Sequence, residues 1–260
     1  MIQKTVGIIG YGHVGKAMHQ LFTDALPYDK YTGDYQGESH KAAVNRCHAA
    51  FVCVPTPMNP DGSCNTAEVD DVISWAECPL LILRSTVPVG YTERKVRETG
   101  KHIVFQPEYY GDTANHPFAD LRARKWLSFG GTPADVHDAI AVYQTVMNAD
   151  IQIYVTDAKT AELAKYMENA FLATKVTFCN EFYDIAEKFG VNYDVLREVW
   201  TADPRIGRSH TFVYDDARGY GGECLPKDMA AIIRQAEEVG ADPVLLRAVR
   251  DRNAAYAPYV

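Results

Sequence analysis

The sequence predicts an α/β protein: a doubly wound parallel sheet over residues 1–157, followed by an all-α domain over residues 158–260 with one long central helix. Three observations carry that reading. Up to Val155, short apolar runs rich in branched residues alternate with amphipathic stretches, the rhythm of a parallel sheet wrapped by helices. The first run ends directly in a glycine cluster. Past Asp157 the rhythm changes, because residues 158–189 hold neither Gly nor Pro while Leu163, Tyr166, Met167, Ala170, Phe171 and Ala173 recur at helical spacing.

Taken in order, strands are expected at residues 6–9, 50–54, 80–83, 103–105, 126–129 and 151–155, with a short second strand at 25–28 that contains Pro27. Helices are expected at 13–24, 66–77, 91–98 and 133–147, several opening on Thr, Asp or Pro. The long helix ends at Gly190, and further helices follow at 193–201, 225–239 and 243–256. The domain boundary is placed near Asp157. No internal repeat or low-complexity segment interrupts this order.

Of the 260 residues 47% are apolar, enough to bury a sizeable core and to exclude a disordered chain. Acidic residues outnumber basic ones by 34 to 26, a net charge of −8, which is the wrong field for a nucleic-acid backbone. The first residues lack the long apolar core of a signal peptide, and no run approaches the roughly 18 apolar residues of a membrane helix. A soluble cytoplasmic protein is expected, with no membrane partner. Six cysteines, Cys47, Cys53, Cys64, Cys78, Cys179 and Cys224, form no C-x-x-C pair, so no metal site is expected and most read as reduced core thiols.

The glycine cluster is Gly10-Tyr11-Gly12-His13-Val14-Gly15, directly after a strand and opening a helix, the context a Rossmann-like dinucleotide fingerprint requires. The first glycine permits a sharp turn, the second lets a pyrophosphate reach the backbone, and the third lets helix and strand pack closely. Free N–H groups of the helix would face the phosphates. Asp29, followed by Lys30, lies 19 residues beyond Gly10, where an acid would take the ribose hydroxyls and favour NAD over NADP; Asp24 and Asp34 lie nearby.

One cysteine differs from the others. Cys224 follows the flexible turn Gly219-Tyr220-Gly221-Gly222-Glu223 and precedes Leu225-Pro226-Lys227-Asp228, a helix start. A helix N-terminus and Lys227 would both favour the thiolate, and Asp228, four residues on, would share a pocket with it as an acid–base group. The long helix adds Lys165 and Asn169, one turn apart.

With these residues the chain resembles the UDP-glucose/GDP-mannose dehydrogenase family. Val54-Pro55-Thr56-Pro57, Ser85-Thr86-Val87-Pro88, Gln106-Pro107-Glu108, the run from Ala161 through Lys165 and Asn169 to Ala173, Asn180-Glu181, Arg205-Ile206-Gly207 and the segment from Gly219 to Asp228 follow in that family's order, covering Gly7 to about Asn253. The resemblance implies a four-electron oxidation of a nucleotide sugar's CH2OH to carboxylate with NAD. Cys224 would carry a thiohemiacetal and then a thioester, and Lys165 and Asn169 would stabilise the oxyanion. Thr86 and Asp228 would hold the hydrolytic water, with Glu108 as base. Val54, Pro55, Thr56, Ser85, Thr86 and Asp112 would meet the cofactor. Glu108, Lys165, Asn169, Arg205, Gly219, Tyr220 and Gly221 would meet the substrate, and the helical domain would form a homodimer.

Two departures stand out. Asp112 occupies the place of a second glutamate, and Asp215-Asp216-Ala217-Arg218 replaces a proline–glycine turn in a longer loop. The family's further nucleotide-binding domain has no counterpart in these residues, so a short member is expected. The alternatives are a two-electron 3-hydroxyacid-type dehydrogenase, which has no need of Cys224, and a non-catalytic NAD-binding module.

Overall fold

The computed structural model describes residues 4–109, 121–144, 146–148 and 150–256. Strand β1 (Val6–Ile9) leads through a glycine turn into α1 (His13–Leu21), then β2 (Leu26–Tyr28), α2 (Glu38–Asn45), β3 (Ala49–Val52), α3 (Ala67–Trp75), β4 (Leu81–Leu83), α4 (Tyr91–Thr99), β5 (Ile103–Phe105), β6 (Trp126–Gly130), α5 (Pro133–Tyr143) and β7 (Gln152–Thr156). Four helices follow: α6 (Ala158–Phe189), α7 (Tyr193–Thr201), α8 (Leu225–Glu238) and α9 (Val244–Tyr256).

The seven strands lie in the order β2-β1-β3-β4-β5-β6-β7. Neighbours are parallel except β5 and β6, which meet antiparallel through Phe105 and Gly130. The doubly wound, parallel-dominated sheet expected from the sequence is present, with this one pair reversed: the chain re-enters the sheet in the opposite direction, and periodicity carries no information on direction. Because successive side chains of a strand point to opposite faces, Ile8 packs with Met18, Leu21, Val136 and Val142 on one side. Ile9 packs with Val72, Ile73, Tyr91 and Ala161 on the other. Both faces are covered, as a doubly wound sheet requires. Each fully buried aliphatic side chain contributes about 1.5–3 kcal/mol. Pro27 is tolerated in β2 because that strand forms the edge of the sheet.

The chain divides into two compact units, Met1–Thr56 with Asn65–Lys165, and Pro57–Cys64 with Tyr166–Val260. The division falls inside α6, so the helix expected to open the second domain gives its first turns to the sheet. A Cβ on Gly130 would stand 2.6 Å from that of Ala161, a closeness only glycine allows. Asp157 starts α6 by accepting from the Thr160 N–H at 2.8 Å.

In the second unit Ala170 and Ala173 of α6 pack with Tyr220, Met229, Ile233 and Val249. The excursion 57–64 belongs here: Met58 pairs with Cys64, and Arg234 Nη1 of α8 donates to the Asp61 carbonyl at 3.1 Å. Gly190, with φ 68°, ends α6 in the left-handed conformation glycine favours. Among the described residues no helix is long and apolar enough to cross a membrane, and no group of three or more His, Cys, Asp or Glu could hold a metal ion.

Candidate active site

Strands β2 and β3 flank β1 on opposite sides, so the winding of the sheet reverses at the carboxyl end of β1, where open α/β sheets take ligands. The glycine turn sits there. Gly10 has φ 90°, and a Cβ on it would come within 2.8 Å of the Cys53 backbone; one on Gly15 would meet the Gly10 oxygen at 2.0 Å. Above Gly12 the space is open to 4 Å. Gly12 is the N-cap of α1, no side chain caps it, and the first turn, which includes His13, Val14 and Gly15, holds no acidic residue. An anion is the natural partner of such a helix end.

Asp29 closes this side. Its Oδ2 accepts from the Tyr11 N–H at 2.6 Å, and its Oδ1 accepts from the N–H groups of Tyr31 and Thr32 at 2.7 and 2.8 Å. Burial pushes the carboxyl up, but these donors outweigh it and hold it below its usual range. The carboxylate is thus fixed in the ionised form beside the turn. Lys30 faces Glu68 and Asp71 at 3.4 and 3.5 Å. The Tyr11 side chain is occupied with His19 and packs on Tyr35.

The β3 and β4 ends form the next wall. Thr56 and Ser85 are buried, Val54 is half-buried and Pro55 exposed. Ser85 Oγ donates to the Val54 carbonyl at 2.6 Å, tying the two loops together. Thr86 follows at the half-buried start of the loop into α4. Glu108 is ion-paired to Arg84, which burial disfavours but the carboxylate holds in the charged form. Arg124 stands 3.6 Å from its other oxygen. Lys165 is buried, with Nζ 4.7 Å from the Tyr109 ring centroid. Asp112 lies outside the described residues.

In the second unit Cys224 is the exposed cysteine, whereas Cys47, Cys78 and Cys179 are buried. Burial pushes the thiols of Cys53 and Cys78 up to about 12 and about 11, which favours the protonated form. Cys224 is the N-cap of α8, and its carbonyl accepts from the Asp228 N–H at 3.1 Å. The Asp228 carboxylate is buried at 2% exposure. It accepts from Asn169 Nδ2 and Lys227 Nζ, both at 2.5 Å. Lys227 is thus ion-paired to the Asp228 carboxylate.

The glycine turn before Cys224 is held from α9. Asn253 Oδ1 accepts from the Tyr220 N–H at 2.8 Å, and its Nδ2 donates to the Tyr220 carbonyl at 2.9 Å. The Tyr220 ring is buried and its phenol pushed up to about 12. The ring is a core anchor and Asn253 already pairs with the backbone N–H and carbonyl, so Tyr220 holds the turn in place, while Gly221 is exposed and Gly219 half-buried. Arg205 is exposed and chelated by Asp203. Lys175 pins the loop behind it, donating to the carbonyls of Ile206 and Gly207 at 3.0 and 2.6 Å. The other end is pinned by Arg218, which donates to Asn180 Oδ1 at 2.6 Å, so the residues replacing a proline–glycine turn are themselves an anchor.

Tyr109, Arg84, Arg124, Lys175 and Asn253 were not legible as site residues. Charged or amide side chains in the middle of apolar segments were the available signal.

Residues 159–255 match the central domain of the UDP-glucose/GDP-mannose dehydrogenase family. A UDP-glucose 6-dehydrogenase of Pseudomonas aeruginosa is 32% identical over 224 residues, 78% of this chain and 48% of that protein. The chain spans about half the length of the curated relatives it matches. The solved UDP-glucose dehydrogenase of Pyrobaculum islandicum superposes with a TM-score of 0.81 at 27% identity, over 97% of this chain and 68% of that one. A 3-hydroxyisobutyrate dehydrogenase of Mycobacterium tuberculosis shares the fold, with a TM-score of 0.74 at 20% identity over 99% and 95% of the two chains. The match over the helical segment, the sequence identity and the shared architecture agree: residues 159–255 carry the central domain of the UDP-glucose/GDP-mannose dehydrogenase family, and the chain as a whole is similar to its members.

Proposed function

We propose that the chain acts as an NAD-dependent nucleotide-sugar 6-dehydrogenase, taking a sugar CH2OH to carboxylate through a thioester on Cys224. The observation that carries this reading is the start of α8. It presents an exposed thiol on a glycine turn and, one helical turn on, a buried carboxylate bonded to Asn169. A dinucleotide-binding module without chemistry has no use for that arrangement.

The residues at the first turn fit a nicotinamide dinucleotide. Gly10, Gly12 and Gly15 leave room for a pyrophosphate at the α1 N-terminus, Asp29 would accept from ribose hydroxyls, and Val54, Pro55, Thr56 and Ser85 would line the nicotinamide side. The acidic neighbours of Lys30 make the adenosine end unfavourable for a 2′-phosphate, which supports NAD over NADP. When bound, NAD supplies the hydride acceptor for both two-electron steps, alcohol to aldehyde and thiohemiacetal to thioester.

The protein's own groups do the rest. Cys224 Sγ, as thiolate, adds to the aldehyde carbon, which keeps a reactive intermediate from leaving between the two oxidations. The Lys165 ammonium and an Asn169 N–H donate where charge builds on the carbonyl oxygen, worth about 3 kcal/mol per donor in well-placed sites. Water, held by Thr86 and Asp228, attacks the thioester carbon, the C–S bond breaks, and the acid leaves with Cys224 restored as thiolate. Glu108 is the proposed base for that water, its carboxylate kept in place by Arg84 and Arg124. Arg205 and the turn of Gly219, Tyr220 and Gly221 would meet the substrate. Met167, Phe171, Phe178, Phe182 and Phe189 leave an exposed apolar stripe along α6, which a second copy of the chain would cover to form a dimer.

The test is Cys224→Ser with NADH counted per acid formed on UDP-glucose, GDP-mannose and UDP-N-acetyl sugars. The proposal expects two NADH per acid in the wild type and a loss of acid formation of at least about 1000-fold in the variant. One NADH per product in the wild type, with Cys224→Ser undiminished, would favour a two-electron 3-hydroxyacid-type dehydrogenase.

A further inference from the structure

Glu162 lies in the first turns of α6 and is fully buried, yet no step above uses it. Its carboxylate accepts from the Gly90 N–H at 2.5 Å and from the Thr92 N–H at 2.8 Å. Gly90 is the N-cap of α4 in the left-handed conformation and, having no side chain, offers no cap of its own. A helix from elsewhere in the chain therefore supplies the acceptor that α4 lacks. Burying a carboxylate is expensive, and burial raises this one above its usual range against the pull of its donors. With φ 87° this position favours glycine, so α4 takes its acceptor from outside its own N-cap.

The location explains that expense. Residues 85–90 form the loop from β4 to α4. Its near end is tied down by Ser85, through the Val54 carbonyl at 2.6 Å. Its far end is tied by Glu162 at Gly90. Thr86 lies between the two ties. Glu162 stands one turn before Lys165 on a helix whose Ala161 packs in one cluster with Val87 and Tyr91. We infer that Glu162 is a positioning residue: by capping α4 it fixes the loop that carries Thr86 relative to the turn of α6 that carries Lys165. This rests on the thioester reading, in which Thr86 holds the hydrolytic water.

Glu162→Gln keeps the volume and one acceptor, and α6 stays seated through Ala161 against Gly130. The loop is the part released. Hydrogen exchange in a peptide spanning residues 85–92 should quicken about tenfold or more, with the peptide 158–165 unchanged. On a sugar nucleotide that the wild type oxidises, the first burst of NADH should persist while kcat falls about 10- to 100-fold with KM within threefold, and the uronyl thioester should build up on Cys224 in intact-mass spectra. Unchanged exchange in 85–92 overturns the inference whether or not the wild type is active. So does a burst that falls in step with kcat, with no thioester accumulating. A wild type that forms no NADH on any sugar nucleotide would sink the thioester reading instead, and the exchange experiment would still decide whether Glu162 holds the loop.

Discussion

Two alanine substitutions in one turn should have opposite signatures. A Cβ on Gly12 meets nothing within 4 Å, and the residue has φ −75° and extended backbone that alanine adopts. Loss of an N-cap glycine and the gain from a stiffer unfolded chain offset each other to within about 1 kcal/mol. Gly12→Ala should therefore shift the melting temperature by no more than about 4 °C. The added methyl, however, occupies the space through which a pyrophosphate would approach the α1 N–H groups, so the Kd for NAD should rise at least about tenfold, or 1.4 kcal/mol. Gly15→Ala places its methyl 2.0 Å from the Gly10 oxygen and 3.3 Å from Ile8 Cγ2. Helix and strand must part by more than an ångström. Overpacking of this kind costs about 1–3 kcal/mol net of the helix propensity alanine gains, a loss of roughly 3–10 °C. Scanning fluorimetry and calorimetric titration with NAD read the two effects separately. Gly12→Ala binding NAD as the wild type does would refute the assignment of this turn to the pyrophosphate.

Asp29→Asn should destabilise the chain by about 2 kcal/mol at pH 7, since three N–H donors lose a charged acceptor. Because the folded carboxyl titrates below its unfolded value, that stability is present above about pH 4 and fades as the pH falls through the folded value. Wild type and variant should converge in urea titrations once the pH has fallen below the folded value, and a constant difference across pH would contradict the assignment. Replacing Met167 and Phe171, 74% and 63% exposed, by Glu should leave the fold intact and halve the mass seen in sedimentation. A wild type already sedimenting at the mass of one chain would remove the proposed dimer.

Most of the fold was legible because parallel strands covered on both faces read as short continuous apolar runs. Strands β1 and β5 and helices α6 and α7 begin and end where the periodicity placed them. Helix α2 was missed because Glu38–Asn45 buries only Val44, too little to leave a pattern. In α6 the apolar residues at helical spacing proved to serve two faces: Tyr166, Ala170 and Ala173 are buried, while Leu163, Met167 and Phe171 face outward. Spacing alone does not separate a core stripe from an interface stripe. At the candidate site, Cys224 stood out through its glycines, and Lys165 and Asn169 through polar chemistry in an apolar helix. The ties that orient them, Glu162 to α4 and Asn253 to Tyr220, join residues more than 30 positions apart and leave no local trace.

The excursion 57–64 gives the polypeptide an unusual itinerary. It leaves the sheet unit after Thr56, visits the helical unit for eight residues and returns at Asn65, before crossing for good within α6. No single scission can part the two units. A fragment ending at Lys165 would carry this short stretch without the helix whose Arg234 donates to the Asp61 carbonyl, and a fragment beginning at Tyr166 would lack the stretch altogether. Co-expressed halves would have to rebuild that attachment between separate polypeptides, which makes cleavage in an exposed loop after residue 200 the gentler way to nick the protein.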